Sequence, residues 1–541
     1  PGETKRVITQ LGQAPSVERA LPQIRQYWDE TAVDQAFAEL HAFWEKYLDT
    51  ITVQTPNTSL NSMLNVHNVR QCHTTKNWSR YLSLYQLGLG SRGIGYRDSM
   101  QDIMGVVAHM PDEARAFLKQ ILSAQLRAGY ANHMYFPLTM QGAMGEVEDM
   151  PERPQYYSDD HLWGVLATCA YLKETGDFAL LDEIVPFYDK DRATGQALES
   201  GTVLEHLVRA VEFTRGDVGA HGVPLAGYAD WNDTVNLHRG GESLFTANLY
   251  GVALKELIGL AEYRGDTAMA EKYAAYYDDM KARVNECAWD GEWYVRYFLP
   301  NGEPLGSQQN PAGKIYTNGQ SWPVLSGFAT PERAEMALES VRKYLNTAHG
   351  IKLSAPGYNG FDPTVGGIST YPPGAKENGG IFLHANPWVI IAETKMGRGD
   401  RAFEYYNQIN PAAKNDIIDL YECEPYCYPQ NILGDDHPQF GLARNAWLSG
   451  TASWMYQSGT QYILGVRASY SGLELDPCIP AAWEQFTMRR KYRGALYVIT
   501  VTNPNHVNQG VKSVVVDGKP ITGNIVPVFA DGTHTVAVTL G

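Results

Sequence analysis

Cysteine is scarce in this chain. The six residues, Cys72, Cys169, Cys287, Cys423, Cys427 and Cys478, are scattered over 541 positions. Only Cys423 and Cys427 lie close together. Their gap holds Pro425 and no second pair stands nearby, which is poor spacing for zinc. The pattern implies free thiols, no metal site and a reducing, cytoplasmic compartment. Positive charge is also short: 44 Lys and Arg against 60 Asp and Glu leave a formal net charge of -16. That balance excludes nucleic acid and an anionic membrane surface as main partners, while leaving room for a local basic pocket. No apolar run approaches the ~18–20 residues needed to cross a bilayer. No signal peptide is visible, and the opening Pro1-Gly2 without a methionine reads as a processed or truncated N-terminus. No short-period repeat is visible.

What is present is a chain that is 44% hydrophobic, enough for a large core in two or three domains, with 33 Tyr and 12 Trp. Abundant aromatics suit carbohydrate sites and large cores alike. Residues 3–10 read as a single strand without a neighbour to pair with. Leu21, Ile24 and Trp28, then Phe37, Leu40, Trp44 and Leu48, recur at helical spacing and predict two helices before about residue 56. From 57 to 464 paired helical segments dominate: 98–109 with 112–127, 159–173 with 203–213, and 244–263 with 267–287. Further segments follow at 331–345, 380–396, 401–409 and 449–464. Ser158, Asp112 and Asp266 are candidate N-caps. The connections are long and rich in Gly, Pro, Asn and Trp, and loops beyond about 12–15 residues usually carry function. This suggests a toroid of helices with a site at one mouth. From 465 onward short strands appear at 495–501, 513–516 and 533–538, with turns at Asp517-Gly518 and Asp531-Gly532.

The most informative segment is Gly227-Tyr228-Ala229-Asp230-Trp231-Asn232-Asp233. It puts two carboxylates, an indole and an amide in one loop. A sugar-cleaving site needs an acid to protonate the glycosidic oxygen and a flat ring to stack on the pyranose. An Asx-rich turn anchored by a Trp reads equally well. Four other segments share its loop character. Ser91–Asp98, with Arg80 upstream, offers arginines and an aspartate for an anion or vicinal hydroxyls; a helix start is the alternative. Lys376–His384 ends in a histidine that suits an anion or a core position. Glu422–Tyr428 offers carboxylates and phenols, or an edge of solvated charge. Trp447–Trp454 resembles a hydroxyl-rich helix start, which can hold an anion or simply be capped.

Taken in order, Arg-Gly-Ile-Gly-Tyr-Arg-Asp-Ser at 92–99, Asp-Trp-Asn-Asp at 230–233, Lys-Glu-Asn-Gly-Gly-Ile-Phe at 376–382, Glu-Pro-Tyr at 424–426 and Trp-Leu-Ser-Gly-Thr-Ala at 447–452 resemble the inverting β-glycoside phosphorylases of glycoside hydrolase family 94. The resemblance implies a mainly α protein: an (α/α)6 barrel at 57–464, linker helices at 16–56 and a small C-terminal β-domain at 465–541. Residues 1–15 would be the last strand of a mostly absent N-terminal β-sandwich. It implies Asp233 as general acid, with Arg92, Arg97, Asp98 and Trp231 on the donor sugar. Arg80, His384, Ser449 and Gly450 would form the phosphate pocket, and Glu424 and Tyr428 the acceptor side. It implies a hexosyltransferase with inorganic phosphate as co-substrate, no metal or organic cofactor, a β-linked gluco-oligosaccharide of the cellobiose or cellodextrin kind as partner, and a homodimer or association with an N-terminal portion. Asp233 is then expected to have a raised pKa, from burial or a nearby negative charge. Two other readings stay open: an inverting hydrolase using Glu422 or Glu424 as base, and a sugar-binding fragment without activity.

Overall fold

The computed structural model describes residues 2–79, 93–145, 147, 150, 152–447 and 449–541. Two helices open it, α1 (Val17–Gln26) and α2 (Glu30–Leu48), capped by Ser16 and Asp29. Residues 3–10 form no strand, contrary to the sequence-based expectation. Among the described residues no strand lies alongside to complete a ladder; Arg6 instead reaches Asp34 at 2.9 Å and Gln10 donates to the carbonyl of Ile24.

The body is built of helix pairs. In chain order these are α3 (Asn68–Thr74), α4 (Tyr96–Val106), α5 (Pro111–Leu122), α6 (Leu162–Thr175), α7 (Val203–Gly216), α8 (Leu244–Arg264) and α9 (Thr267–Cys287), then α10 (Thr317–Ser326), α11 (Pro331–Tyr344), α12 (Asn386–Lys395), α13 (Gly399–Ile409) and α14 (Thr451–Gln457). Among the described residues α4, α6, α8, α10, α12 and α14 each pack on the next, and α14 packs back on α4. Every residue of α10 and of α14 is buried. Such helices have no solvent side, so polar residues in them bond to protein groups, as Gln320 does to the Tyr294 carbonyl and Ser453 to that of Gln101. The outer helices do have stripes: α11 buries Ala334, Ala337, Leu338 and Val341 and turns its charges outward. α8 is long and apolar enough to cross a membrane by length and composition, a property the sequence reading missed, but most of it is buried in this ring.

Caps explain where helices begin. Asp266 accepts from the Met269 N–H at 3.0 Å, as expected. Asp112 is no cap: Pro111, whose fixed φ suits a first turn, starts α5 one residue earlier. Ser158 also fails as a cap, since α6 starts at Leu162 and the Ser158 hydroxyl instead meets that of Thr246 at 2.8 Å. The helix expected from Gly380 begins only at Asn386. Ile381–Phe382 pairs as a strand with Asn431 and Ile432, and Pro387 sets the later start.

The C-terminal region is β-rich. β1 (Ile51–Gln54), β2 (Gln485–Tyr492), β3 (Ala495–Thr502), β4 (Val511–Val516), β5 (Lys519–Ile521) and β6 (Thr533–Leu540) form one sheet in the order β1-β2-β3-β6-β4-β5. Only the β3–β6 pair is parallel. Asp517 and Gly518, both at positive φ, make the β4–β5 hairpin as the sequence predicts. β1, assigned by sequence to the linker helices, is the edge strand of this sheet, with Ile51 opposite Arg490 and Val53 opposite Met488.

Candidate active site

The 227–233 loop precedes the inner helix α8. Gly227 has φ +66, and a Cβ there would lie 2.5 Å from the Tyr156 carbonyl oxygen, so the loop needs glycine at this point. Its first carboxylate is closed off. Asp230 is fully buried and accepts from Arg296 at 2.6 and 2.9 Å, Ser243 at 2.5 Å, Tyr297 at 2.8 Å and the Asn232 N–H at 2.9 Å. Burial pushes its pKa up, but Arg296 and the hydrogen bonds outweigh it and hold the carboxyl below its ordinary value. Arg296 also donates to Asn232 Oδ1 at 2.7 Å and so fixes the next turn of the loop.

Asp233 is the opposite case. Its side chain is 46% exposed, and Oδ1 accepts from Arg97 Nη2 at 2.5 Å. Its side chain is thus not buried, although burial is one of the two surroundings expected from the sequence. Arg97, at the start of α4, is buried and forks between Asp233, the Asp230 carbonyl at 3.1 Å and Asp159 at 3.2 and 3.3 Å. Asp159 also accepts from Trp163 Nε1 at 2.9 Å; burial raises its pKa against the pull of Arg97. Beside it Asp160 meets His133 Nδ1 at 3.0 Å. Burial opposes charge on His133, yet Asp160 prevails and raises it. The raised carboxyl next to Asp233 is Glu377. It is pushed up to about 7 by burial and then by the charge of Asp233, with Thr234 at 2.7 Å and Asn232 at 3.3 Å pulling the other way.

Trp231 is not an open platform. It is 5% exposed, with Phe382, His384 and Trp388 edge-on around it at 5.5, 5.1 and 4.9 Å. His384 is buried, with Nε2 2.9 Å from Gln101 Oε1. That oxygen also accepts from Trp454 Nε1 at 2.7 Å, so the proton on the His384 contact sits on Nε2. Gly450 lies directly against the ring: a Cβ would fall 2.4 Å from His384 Cε1. Ser449 is buried, accepts from the Thr451 N–H at 3.0 Å and touches the Thr451 hydroxyl, at the start of α14. Asp98 sits in the first turn of α4 with Oδ2 3.0 Å from a Cβ on Gly95. Arg80 and Arg92 lie outside the described residues.

On the expected acceptor side, Glu424 accepts from Trp447 Nε1 at 3.1 Å and from Cys423 Sγ at 3.3 Å. Burial raises its pKa, but these and its backbone hydrogen bonds lower it overall. Tyr428 does not fit the expected role. It has no exposed surface; Gln71 holds its backbone at both N–H and carbonyl, and its hydroxyl faces Tyr406 at 3.5 Å. The exposed phenol of this segment is Tyr426, at 41%, near Trp447 with ring centroids 6.3 Å apart.

The structure therefore joins Asp233, Arg97, Trp231, His384 and Gly450 in one connected cluster. It adds Asp159, Asp160, His133 and Arg296, which sequence reasoning missed, and Glu377, which stood in the 376–382 motif without a role of its own. The doubled acid at 159–160 and the Lys-Glu pair at 376–377 were the available signals. Arg296 had none, because its partners are remote in sequence.

The family model "Glycosyl hydrolase 94 superfamily, catalytic domain" matches residues 43–465. An N,N'-diacetylchitobiose phosphorylase of Vibrio proteolyticus is 37% identical across 100% of this chain and 68% of its own length. A solabiose phosphorylase of Paenibacillus borealis is 35% identical, over 100% and 67%. A rhamnosidase structure from Bacillus sp. GL1 superposes with a TM-score of 0.50 at 13% identity, over 91% of this chain and 44% of that one; this likeness concerns fold alone. The chain spans about two thirds of the length of the phosphorylases it matches, and it belongs to the glycosyl hydrolase 94 superfamily through that family's catalytic domain.

Proposed function

We propose that this protein catalyses reversible, inverting phosphorolysis of a β-linked gluco-disaccharide or short oligosaccharide, giving an α-sugar 1-phosphate and a shortened acceptor. The observation that carries the reading is the division of labour in one loop: Asp230 is buried and saturated, whereas Asp233 is accessible and pairs with Arg97, in the same loop whose Trp231 packs on His384. Asp233, once protonated, gives its proton to the glycosidic oxygen as the bond to the anomeric carbon breaks. A phosphate oxygen forms the new bond from the opposite face. Phosphate is already anionic, so no second carboxylate is needed as a base; cations and oriented donors must hold it instead. His384, Ser449 and Gly450 are the described candidates for that task.

The closed sequence of inner-helix contacts, each with an outer partner, supports an (α/α)6 barrel over 57–464, between linker helices at 16–56 and a β-domain at 465–541. The exposed Val7, Leu11, Trp28 and Phe37 support a covering N-terminal portion or a second copy. The six free thiols support a reducing, cytoplasmic setting. Phosphorolysis by an Asp233→Asn variant should fall by about 10²–10⁴-fold with the melting curve unchanged. Sugar release that continues in wild type without phosphate would instead select a hydrolase.

A further inference from the structure

The catalytic groups gather at the N-terminal ends of the inner helices. A separate cavity of about 420 Å³ lies among their C-terminal halves, roofed by residues of the β-rich region. Every carboxylate lining it is engaged. Glu174 meets Arg490 at 2.6 Å and Glu256 meets Lys173 at 2.5 Å, while Glu474 and Asp476 both hold Arg467, at 3.2 and 3.0 Å. Two ammonium groups on the same wall, Lys255 and Lys395, make no ion pair among the described residues, and both are solvent-accessible.

Lys395 is wet but walled in. Burial, then repulsion from Lys255 and Arg467, push its pKa down to about 8 against the pull of Glu474 and Asp476. Helix ends account for part of this charge, since Lys173 and Lys395 stand in the last turns of α6 and α12 and face carbonyl ends. Lys255 stands mid-way along α8, and its Nζ lies 3.6 Å from where a Cβ on Gly327, the C-cap of α10, would sit. Like charges held together in a concave, partly desolvated space are stabilised by an anion.

We propose that this cavity is a second, non-catalytic site for a phosphate group, either inorganic phosphate or the phosphate of a sugar ester. Lys255 and Lys395 are its ligands, and the Arg467 guanidinium its charged wall. It shares a wall with the active site, because Trp454 lines the cavity and donates to the same Gln101 oxygen that His384 contacts.

The test follows Lys395 itself, which separates this site from phosphate binding beside His384. The full chain is reductively methylated at matched ionic strength in chloride, inorganic phosphate or glucose 6-phosphate, and Lys395 is read by peptide mass spectrometry. Labelling should fall about tenfold with at least one of the two phosphates and not with chloride. Which one protects tells the source of the group. Lys255→Met should remove the protection while circular dichroism and phosphorolysis stay unchanged, and Lys255→Arg should retain it. Equal labelling in all three salts, or protection that survives Lys255→Met, overturns the proposal.

Discussion

Two residues separate Asp230 from Asp233, yet their surroundings give them different chemistry. Asp230 spends every lone pair on Arg296, Ser243, Tyr297 and backbone, whereas Asp233 pairs among the described residues with Arg97 and keeps 46% of its side chain exposed. Removing Arg296 would strand Asp230 as a buried charge. Arg296→Met should therefore cost about 3–5 kcal/mol of stability in denaturant titration; a loss no larger than that of an exposed arginine would contradict the structural role. Glu377 makes a pH prediction. Its folded pKa of about 7 lies above the ordinary 4.5, so the native state holds a proton that the unfolded chain releases. The resulting stability, roughly 3 kcal/mol, is full below pH 4.5 and lost as pH rises through about 7. Glu377→Gln should flatten that decline by the contribution of one proton. An unchanged slope between about pH 5 and 8 would show that Glu377 titrates normally.

At the scale of elements, the α12 start and the α14 start meet where His384 lies against Gly450 and Trp388 packs on Trp454. A methyl group at 450 would have to displace the imidazole, since the Cβ would come within 2.4 Å of Cε1. Gly450→Ala should lower kcat/KM for phosphate by about 10–100-fold, with the fold kept. An unaltered phosphate dependence would remove His384 from the proposed pocket. Elements legible in the sequence were those with a local signal: α8 and α9, with the Asp266 cap between them, and the Asp517-Gly518 hairpin. α10 was invisible because Gly319 and Pro323 lie inside it, and its helicity comes from complete burial among neighbours. β2 was missed for a related reason. Phe486, Met488, Arg490 and Tyr492 all point to the core face, and a charged residue in that series broke the alternation. In the site, the motif-borne Asp233, Arg97 and His384 were legible. The arrangement around Tyr428 was not, because only the fold says that its ring turns inward while Tyr426 stays out.

For the whole molecule, Arg490 joins parts that the sequence divides. It is 2% exposed, lies on β2 opposite Ile51 of β1, and reaches Glu174 at the end of α6 at 2.6 Å and the Val466 carbonyl at 3.0 Å. One side chain thus ties the helical ring, the chain entering from α2 and the C-terminal sheet. Charge pairs buried this deeply cost several kcal/mol when one member is removed, because the other is left without compensation. If the ring and the sheet melt as one cooperative unit, Arg490→Met should shift a single calorimetric transition downward, equivalent to about 3–5 kcal/mol. The companion Glu174→Gln should shift the same peak, and the double variant should lose less than the sum, because the two residues share one interaction. Two resolved peaks, with only the smaller one moving in Arg490→Met, would mean that the sheet is an independent cover and that the helical ring holds its active-site loops without it.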